Sequence, residues 1–248
     1  MRKHIANCFT LLNLVFGCLA VIQVLQGLAG LSHEAQDPVE RMRMASLFIC
    51  LAGVVDFLDG LIARLLNATS EMGKQLDSLA DLVSFGVAPG LILYQFLQVS
   101  FAAAPGTGVS YWYLIPALLL PCAGAYRLAR FNLSTSFSTE FEGLPIPAGG
   151  ILIASFPLIY TSASFAGVQT LLHAPVFWYA VILIVSFLMV STIPMLSLKF
   201  KNLSFIQNWP KFLLFILAIV CGLLVHWLAV PLIFLVYVLL SLLLIRRS

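Results

Sequence analysis

Charge is what this chain has least of. Only 9% of its 248 residues are Asp, Glu, Lys or Arg, while 61% are hydrophobic; a soluble domain carries about a quarter charged residues. That shortage excludes an ordinary soluble domain and points to a polytopic membrane protein with a single membrane domain. No basic run and no alternation of basic with aromatic residues is present, which speaks against a nucleic-acid partner. Internal repeats, low-complexity tracts and a separate soluble domain are also missing. The five cysteines, Cys8, Cys18, Cys50, Cys122 and Cys221, include no pair at CxxC or metal-ligand spacing. They lie in or beside apolar segments, where cysteine behaves as a small hydrophobe. His4, His33, His173 and His226 are scattered, with no partner at metal spacing, and receive no role.

What is there is a series of apolar runs long enough to cross a bilayer, which takes about 20 residues. They fall near 9–30, 44–66, 80–100, 111–131, 146–165, 174–197, 211–225 and 227–245. The expected fold is therefore all-α, a membrane helix bundle of about eight spans, with residues 1–200 as a core and 201–248 as a C-terminal helical pair. Arg2, Lys3, Arg64, Lys74, Arg127, Arg130, Lys199, Lys201, Lys211, Arg246 and Arg247 fall on one side of such a bundle and only Arg41 and Arg43 on the other. The positive-inside rule then puts both termini in the cytoplasm. Met1-Arg2-Lys3-His4 before an apolar run resembles a signal peptide, and VFGC ending at Cys18 resembles a lipoprotein cleavage box. Asn7, Thr10 and Asn13 put polar groups at and inside the start of that run, so it reads as an uncleaved first helix. Trp112, Tyr113, Trp178, Tyr179, Trp209 and Trp227 fall near span ends, as an interfacial aromatic belt would.

Among these runs, Asp56 to Asp81 reads DFLDGLIARLLNATSEMGKQLDSLAD. Asp56 and Asp59 are three apart and Asp77 and Asp81 four apart, so each pair shares a helix face. Two antiparallel helices joined by a turn, with Gly73 and Lys74 in it, would bring all four acids together. Four adjacent anions near apolar surface repel one another and are costly to desolvate. One or two divalent cations, Mg²⁺ or Mn²⁺, relieve this, because carboxylate oxygens are the ligands these metals prefer. Asp56, Asp59 and Asp77 are the leading ligands. Asp81 lies one helical turn, about 6 Å, beyond Asp77, near enough to ligate as well and free to act as a general base. Gly60 and Ala63 would let a phosphate or nucleoside approach the backbone, or would serve only as small packing residues. Arg64 and Lys74 could pair with phosphate oxygens or only mark topology.

The arrangement D-x-x-D-G-x-x-A-R, eight residues, G-x-x-x-D-x-x-x-D, filled by Asp56, Asp59, Gly60, Ala63, Arg64, Gly73, Asp77 and Asp81, resembles the signature of the CDP-alcohol phosphotransferases, membrane enzymes of phospholipid synthesis. The resemblance implies that the first three acids hold metal and the fourth activates an acceptor alcohol. It also implies a CDP-diacylglycerol donor, CMP as leaving group, a binding site for the donor formed by Asp56, Gly60, Ala63, Arg64, Gly73 and Lys74, and a homodimer.

Three further stretches resemble the bacterial and fungal serine-using branch: NCFTLLNLVFGCLAV from Asn7, GKQLDSLADLVSFGVAPG through Gly90, and RLARFN (Arg127 to Asn132) followed by GLPIPAGG from Gly143. Ala6 departs from the proline usual before that Asn. The acceptor implied is L-serine, and the location a bacterial inner membrane with the site facing the cytoplasm. Arg127 and Arg130, three apart, with Asn132 nearby, could bind the serine carboxylate or could be anchors snorkelling to the surface. Asn7, Thr10 and Asn13, spaced by three, could hydrogen-bond the aspartates or the donor, or form a polar helix entry. The alternatives are the same chemistry with glycerol 3-phosphate or inositol, and an ion-coupled transporter. A transporter predicts acids spread over several spans and inverted repeats; these acids sit in one window.

Overall fold

The computed structural model describes residues 2–29, 37–65, 70–102, 109–133, 141–162, 166–196 and 205–245. Lipid offers backbone groups no hydrogen-bond partners, so apolar runs must satisfy their own as helices. Among the described residues ten α-helices follow: α1 Arg2–Ala29, α2 Pro38–Leu65, α3 Glu71–Asp81, α4 Ala88–Ala102, α5 Leu119–Leu133, α6 Ile146–Ser162, α7 Ala166–Leu172, α8 Pro175–Val190, α9 Phe205–Val225 and α10 Ala229–Ile245. Among the described residues, five helical stretches are long and apolar enough to cross a membrane: Asn7–Gly27, Pro38–Leu65, Glu71–Ala102, Tyr111–Leu133 and Phe212–Leu243. The α6 and α8 runs are apolar but shorter, 17 and 16 residues, about 25 Å at 1.5 Å per residue. The last two expected runs appear as α9 and α10, broken at His226, whose φ is 51°.

Helix starts are locally encoded. The Asp37 carboxylate accepts from Val39 N at 3.0 Å, and Pro38 takes the first helical position of α2, where its missing N–H costs nothing. Ser70 caps α3, its hydroxyl accepting from Gly73 N at 3.0 Å. Gly73 and Lys74 are therefore inside the first turn of α3, not in a turn between helices: the Ser cap starts the helix well before the apolar run begins. Of that expected turn, residues 66–69 lie outside the described residues.

From α3 the chain passes into α4 through a π-helical turn, Leu82–Val87. Pro89 gives a physical reason. It has no N–H, and its ring presses on the carbonyl four residues back, that of Phe85; widening the turn relieves both faults.

The core lies between α1, α2, α4, α6 and α8, with Met42, Ile49, Phe85, Ile92, Leu93, Ile153 and Trp178 fully buried. Trp178 is not part of an interfacial belt. It stacks on Phe96 with centroids 4.2 Å apart, and its indole N–H donates to Leu172 O at 2.8 Å. Trp112, Tyr113, Trp209 and Trp227 are exposed, as a belt requires. The lipid-facing surface is apolar, with Phe57, Leu183, Phe187, Leu223 and Leu224 all exposed.

A two-stranded antiparallel ribbon joins β1 Phe141–Glu142 to β2 Pro194–Met195, pairing Phe141 with Met195 and Glu142 with Pro194. Beside it Gly143 has φ +69°, and a methyl there would lie 2.7 Å from Ser191 O. Helix α10 closes over this ribbon. Ser241 Oγ accepts from Leu196 N at 3.1 Å, and the Tyr237 hydroxyl donates to Leu196 O at 3.3 Å.

Candidate active site

The site is built where α2 and α3 both pack against α1, which brings the C-terminal half of α2 and the acids of α3 to one place. One carboxylate oxygen each from Asp56, Asp59 and Asp77 lies within 4.8 Å of the others. Asp59 is 6% exposed, and its Oδ2 has no hydrogen-bond partner among the described residues. The Thr10 hydroxyl from α1 hydrogen-bonds the same carboxylate. A buried anionic oxygen without a donor is expensive, and three hard oxygen donors this close match the preference of a divalent cation. The residues present therefore fit such an ion.

A cavity of about 410 Å³ opens beside these acids, lined by Asn7, Thr10, Asp59, Gly60, Ala63, Arg64, Ser70, Glu71, Gly73, Lys74 and Asp77. Among the described residues a methyl at Gly60 would meet no atom within 4 Å, which leaves room for a ligand there. Arg64 donates from Nε to Gly60 O at 2.8 Å, which holds its guanidinium along the rim. The Lys74 ammonium sits 5.8 Å from the centroid of the Phe131 ring, a cation–π contact that leaves it on the cavity wall. Asn7 reaches the same wall, its Oδ1 lying 3.3 Å from where a methyl on Gly73 would stand.

Asp81 is 8% exposed and sits deeper, beside Asp56. The Asn13 amide donates to its Oδ1 at 3.3 Å. Arg127, 6% exposed, is within electrostatic reach of Asp81, Arg130 and Tyr237. Arg130 is turned elsewhere. Its Nη1 donates to Val190 O at 2.8 Å and its Nη2 to Ser191 O at 3.0 Å, capping the C-terminus of α8. The Asn132 amide donates to Ser78 Oγ at 2.9 Å, tying α5 to α3 between Asp77 and Asp81.

The structure thus gathers the four acids, the small and basic cavity residues and the α1 polar face, and puts Arg127 near Asp81 while giving Arg130 to α8. Sequence reasoning passed over Ser70, Glu71, Ser78 and Ser84. The cap signal at Ser70, a hydroxyl residue followed at once by an acidic one, was available for the first two. The others depend on tertiary contacts.

Residues 3–186 match the CDP-alcohol phosphatidyltransferase family. The chain belongs to that family. Among relatives of this phosphatidyltransferase, a CDP-diacylglycerol–serine O-phosphatidyltransferase of Bacillus subtilis is 35% identical over 158 residues, 64% of this chain and 77% of the relative. One of Mycobacterium bovis is 32% identical over 216 residues, 84% of this chain and 69% of the relative. One of Helicobacter pylori is 45% identical over 112 residues, 44% of each chain, so the match spans less than half of that relative's length.

Proposed function

We propose that this phosphatidyltransferase moves the phosphatidyl group of CDP-diacylglycerol to the hydroxyl of L-serine, giving phosphatidylserine and CMP. The observation that carries the reading is the convergence of Asp56, Asp59 and Asp77 within 4.8 Å beside a cavity walled by Gly60, Ala63, Arg64 and Lys74. The names of the relatives support serine as the acceptor.

Asp56, Asp59 and Asp77 would hold a divalent cation, Mg²⁺ or Mn²⁺, and Asp81 is proposed as a further ligand. When bound, the cation neutralises the donor's pyrophosphate and stabilises the departing CMP. Gly60 and Ala63 leave room for the nucleotide, Gly73 keeps the α3 wall low, and Arg64 and Lys74 pair with phosphate oxygens. Asp81 takes the proton from the serine hydroxyl as its oxygen attacks the lipid-bearing phosphorus. A phosphorus–oxygen bond to serine forms, the one to CMP breaks, and CMP leaves with the electron pair. Arg127, buried near Asp81, takes the serine carboxylate. Asn132 steadies the α3 turn between Asp77 and Asp81, and Arg130 secures α8. The Lys and Arg bias supports a cavity open to the cytoplasm and both termini on that side, in a bacterial inner membrane; of the residues used, Lys199, Lys201, Arg246 and Arg247 lie outside the described residues. The homodimer rests on the family resemblance.

The test is CMP release from CDP-diacylglycerol with serine, inositol and glycerol 3-phosphate side by side, in Mg²⁺, Mn²⁺ and EDTA. Release with serine and either metal, abolished by EDTA, is expected. Preference for another alcohol would overturn the acceptor and keep the chemistry. Full activity in EDTA would overturn the metal mechanism.

A further inference from the structure

Helix α1 meets the segment carrying Asp81 with no slack. Asn13 is fully buried and its Nδ2 donates to Asp81 Oδ1 at 3.3 Å. Within the π-helical turn, the fully buried Ser84 hydroxyl donates to the main-chain carbonyl of Asn13 at 3.1 Å. Gly17, one turn along α1, permits this approach: a methyl there would lie 2.3 Å from Ser84 Oγ and 2.9 Å from Ser84 Cα. The residue that holds Asp81 is thus itself held by a residue three positions beyond Asp81. A carboxylate offers acceptors, so the Asn13 amide presents Nδ2 to it, which fixes the direction of the Asn13 Oδ1, an atom with no hydrogen-bond partner among the described residues.

We infer that Asn13 is a positioning residue: tethered by Ser84, it fixes the carboxylate of Asp81 on the acceptor side of the three metal-holding aspartates. The inference rests on the reading of Asp81 as the group that takes the proton. The π-helical turn is part of the device, because it brings Ser84 against α1 immediately after Asp81. A hydrogen bond that only held α1 in place would matter to the fold and not to the chemistry, and the two roles separate experimentally.

Asn13→Leu keeps the volume and removes the donor. Its kcat should fall about 10- to 100-fold, the worth of one hydrogen bond to a charged group, while the KM for CDP-diacylglycerol and the affinity for CMP stay at their unaltered values. The decisive readout is a double-mutant cycle with Asp81→Asn, followed by single-turnover CMP release. In the Asp81→Asn background, adding Asn13→Leu should cause no further loss. The same fractional loss in both backgrounds would overturn the inference and leave the base assignment standing. Unaltered turnover in Asp81→Asn alone would instead overturn the base assignment, and the inference with it. Should Asn13→Leu fail to fold, Ser84→Ala decides by the same cycle. It cuts only the tether, so a smaller loss that vanishes with Asp81→Asn is expected, and a loss that persists refutes the proposal.

Discussion

Asp59→Asn should stabilise the metal-free protein while abolishing its activity. Two unit charges 4.8 Å apart, the outer limit for the oxygens of Asp56, Asp59 and Asp77, repel by about 3.5 kcal/mol at an effective dielectric of about 20. Removing the Asp59 charge deletes two of the three pairs, about 7 kcal/mol before screening. Water in the adjoining cavity and counter-ions take most of this away, and a net gain of about 2 kcal/mol is a fair expectation. Asn still accepts from the Thr10 hydroxyl, so little packing is lost. For 150–250 residues, 1 kcal/mol moves Tm by about 2–4 °C, and the variant should melt about 4–8 °C higher in EDTA. Added Mg²⁺ or Mn²⁺ reverses the order, because a ligand at 100 times its Kd stabilises the unaltered protein by about 2.7 kcal/mol, and the variant, which has lost one of three charged ligands, gains less than about 0.7 kcal/mol at the same concentration. Thermal unfolding in detergent, with and without metal, beside CMP release, is the assay. A variant that melts lower in EDTA, together with an unaltered protein whose Tm ignores both metals, would refute the reasoning that these acids are held together by a cation.

Two further predictions concern residues whose roles the structure separates. Arg127→Lys keeps the charge and loses the planar fork, so the serine KM should rise with that of CDP-diacylglycerol unchanged, as measured by initial rates; an unchanged serine KM in a folded variant removes Arg127 from the acceptor site. Arg130→Ala should lower thermal stability by about 1–3 kcal/mol, since two α8 carbonyls lose a charged donor, and a selective rise in serine KM without destabilisation would return Arg130 to the acceptor. A cysteine placed at Ser70 in a cysteine-free background should be labelled only from the cytoplasmic side, and labelling from outside would overturn the orientation.

Much of the site was legible because its chemistry is written in residue types that a bilayer does not tolerate by chance. Asp56, Asp59, Asp77 and Asp81 stand out against their surroundings, and spacings of three and four place them on helix faces without any tertiary information. What could not be read was how neighbouring elements claim side chains. Arg130 lies three residues beyond Arg127 on the same helix, yet the end of α8, sixty residues later, claims its guanidinium. Trp178 sits at a helix start, where a belt residue belongs, but meets Phe96 across the bundle. The ribbon between Phe141–Glu142 and Pro194–Met195 is two residues per strand, too short to leave any alternation in the sequence. The π-helical turn has a local cause in Pro89, yet a proline early in a span is equally compatible with a kink, so the sequence alone does not choose.

Helix α1 shows how a sequence of modest signal acquires a definite role. Asn7, Thr10 and Asn13 fall every third residue, and each meets a different part of the site: Asn7 the first turn of α3 at Gly73, Thr10 the Asp59 carboxylate, and Asn13 the Asp81 carboxylate. One polar stripe thus touches Asp59 on α2 and Asp81 on α3 together. Turned toward lipid, Thr10 and Asn13 would leave their polar groups without partners in hydrocarbon, while Asp59 and Asp81 would each lose a hydrogen bond from α1. The rotation of α1 about its axis is therefore set by the site, and the spacing between the α2 acids and the α3 acids is set in turn by α1. Packing asks for the same rotation, because Gly17 admits Ser84 and Ala20 and Val24 are buried on the inner face, while Leu11, Leu12, Val15, Ile22 and Leu25 are exposed on the outer one.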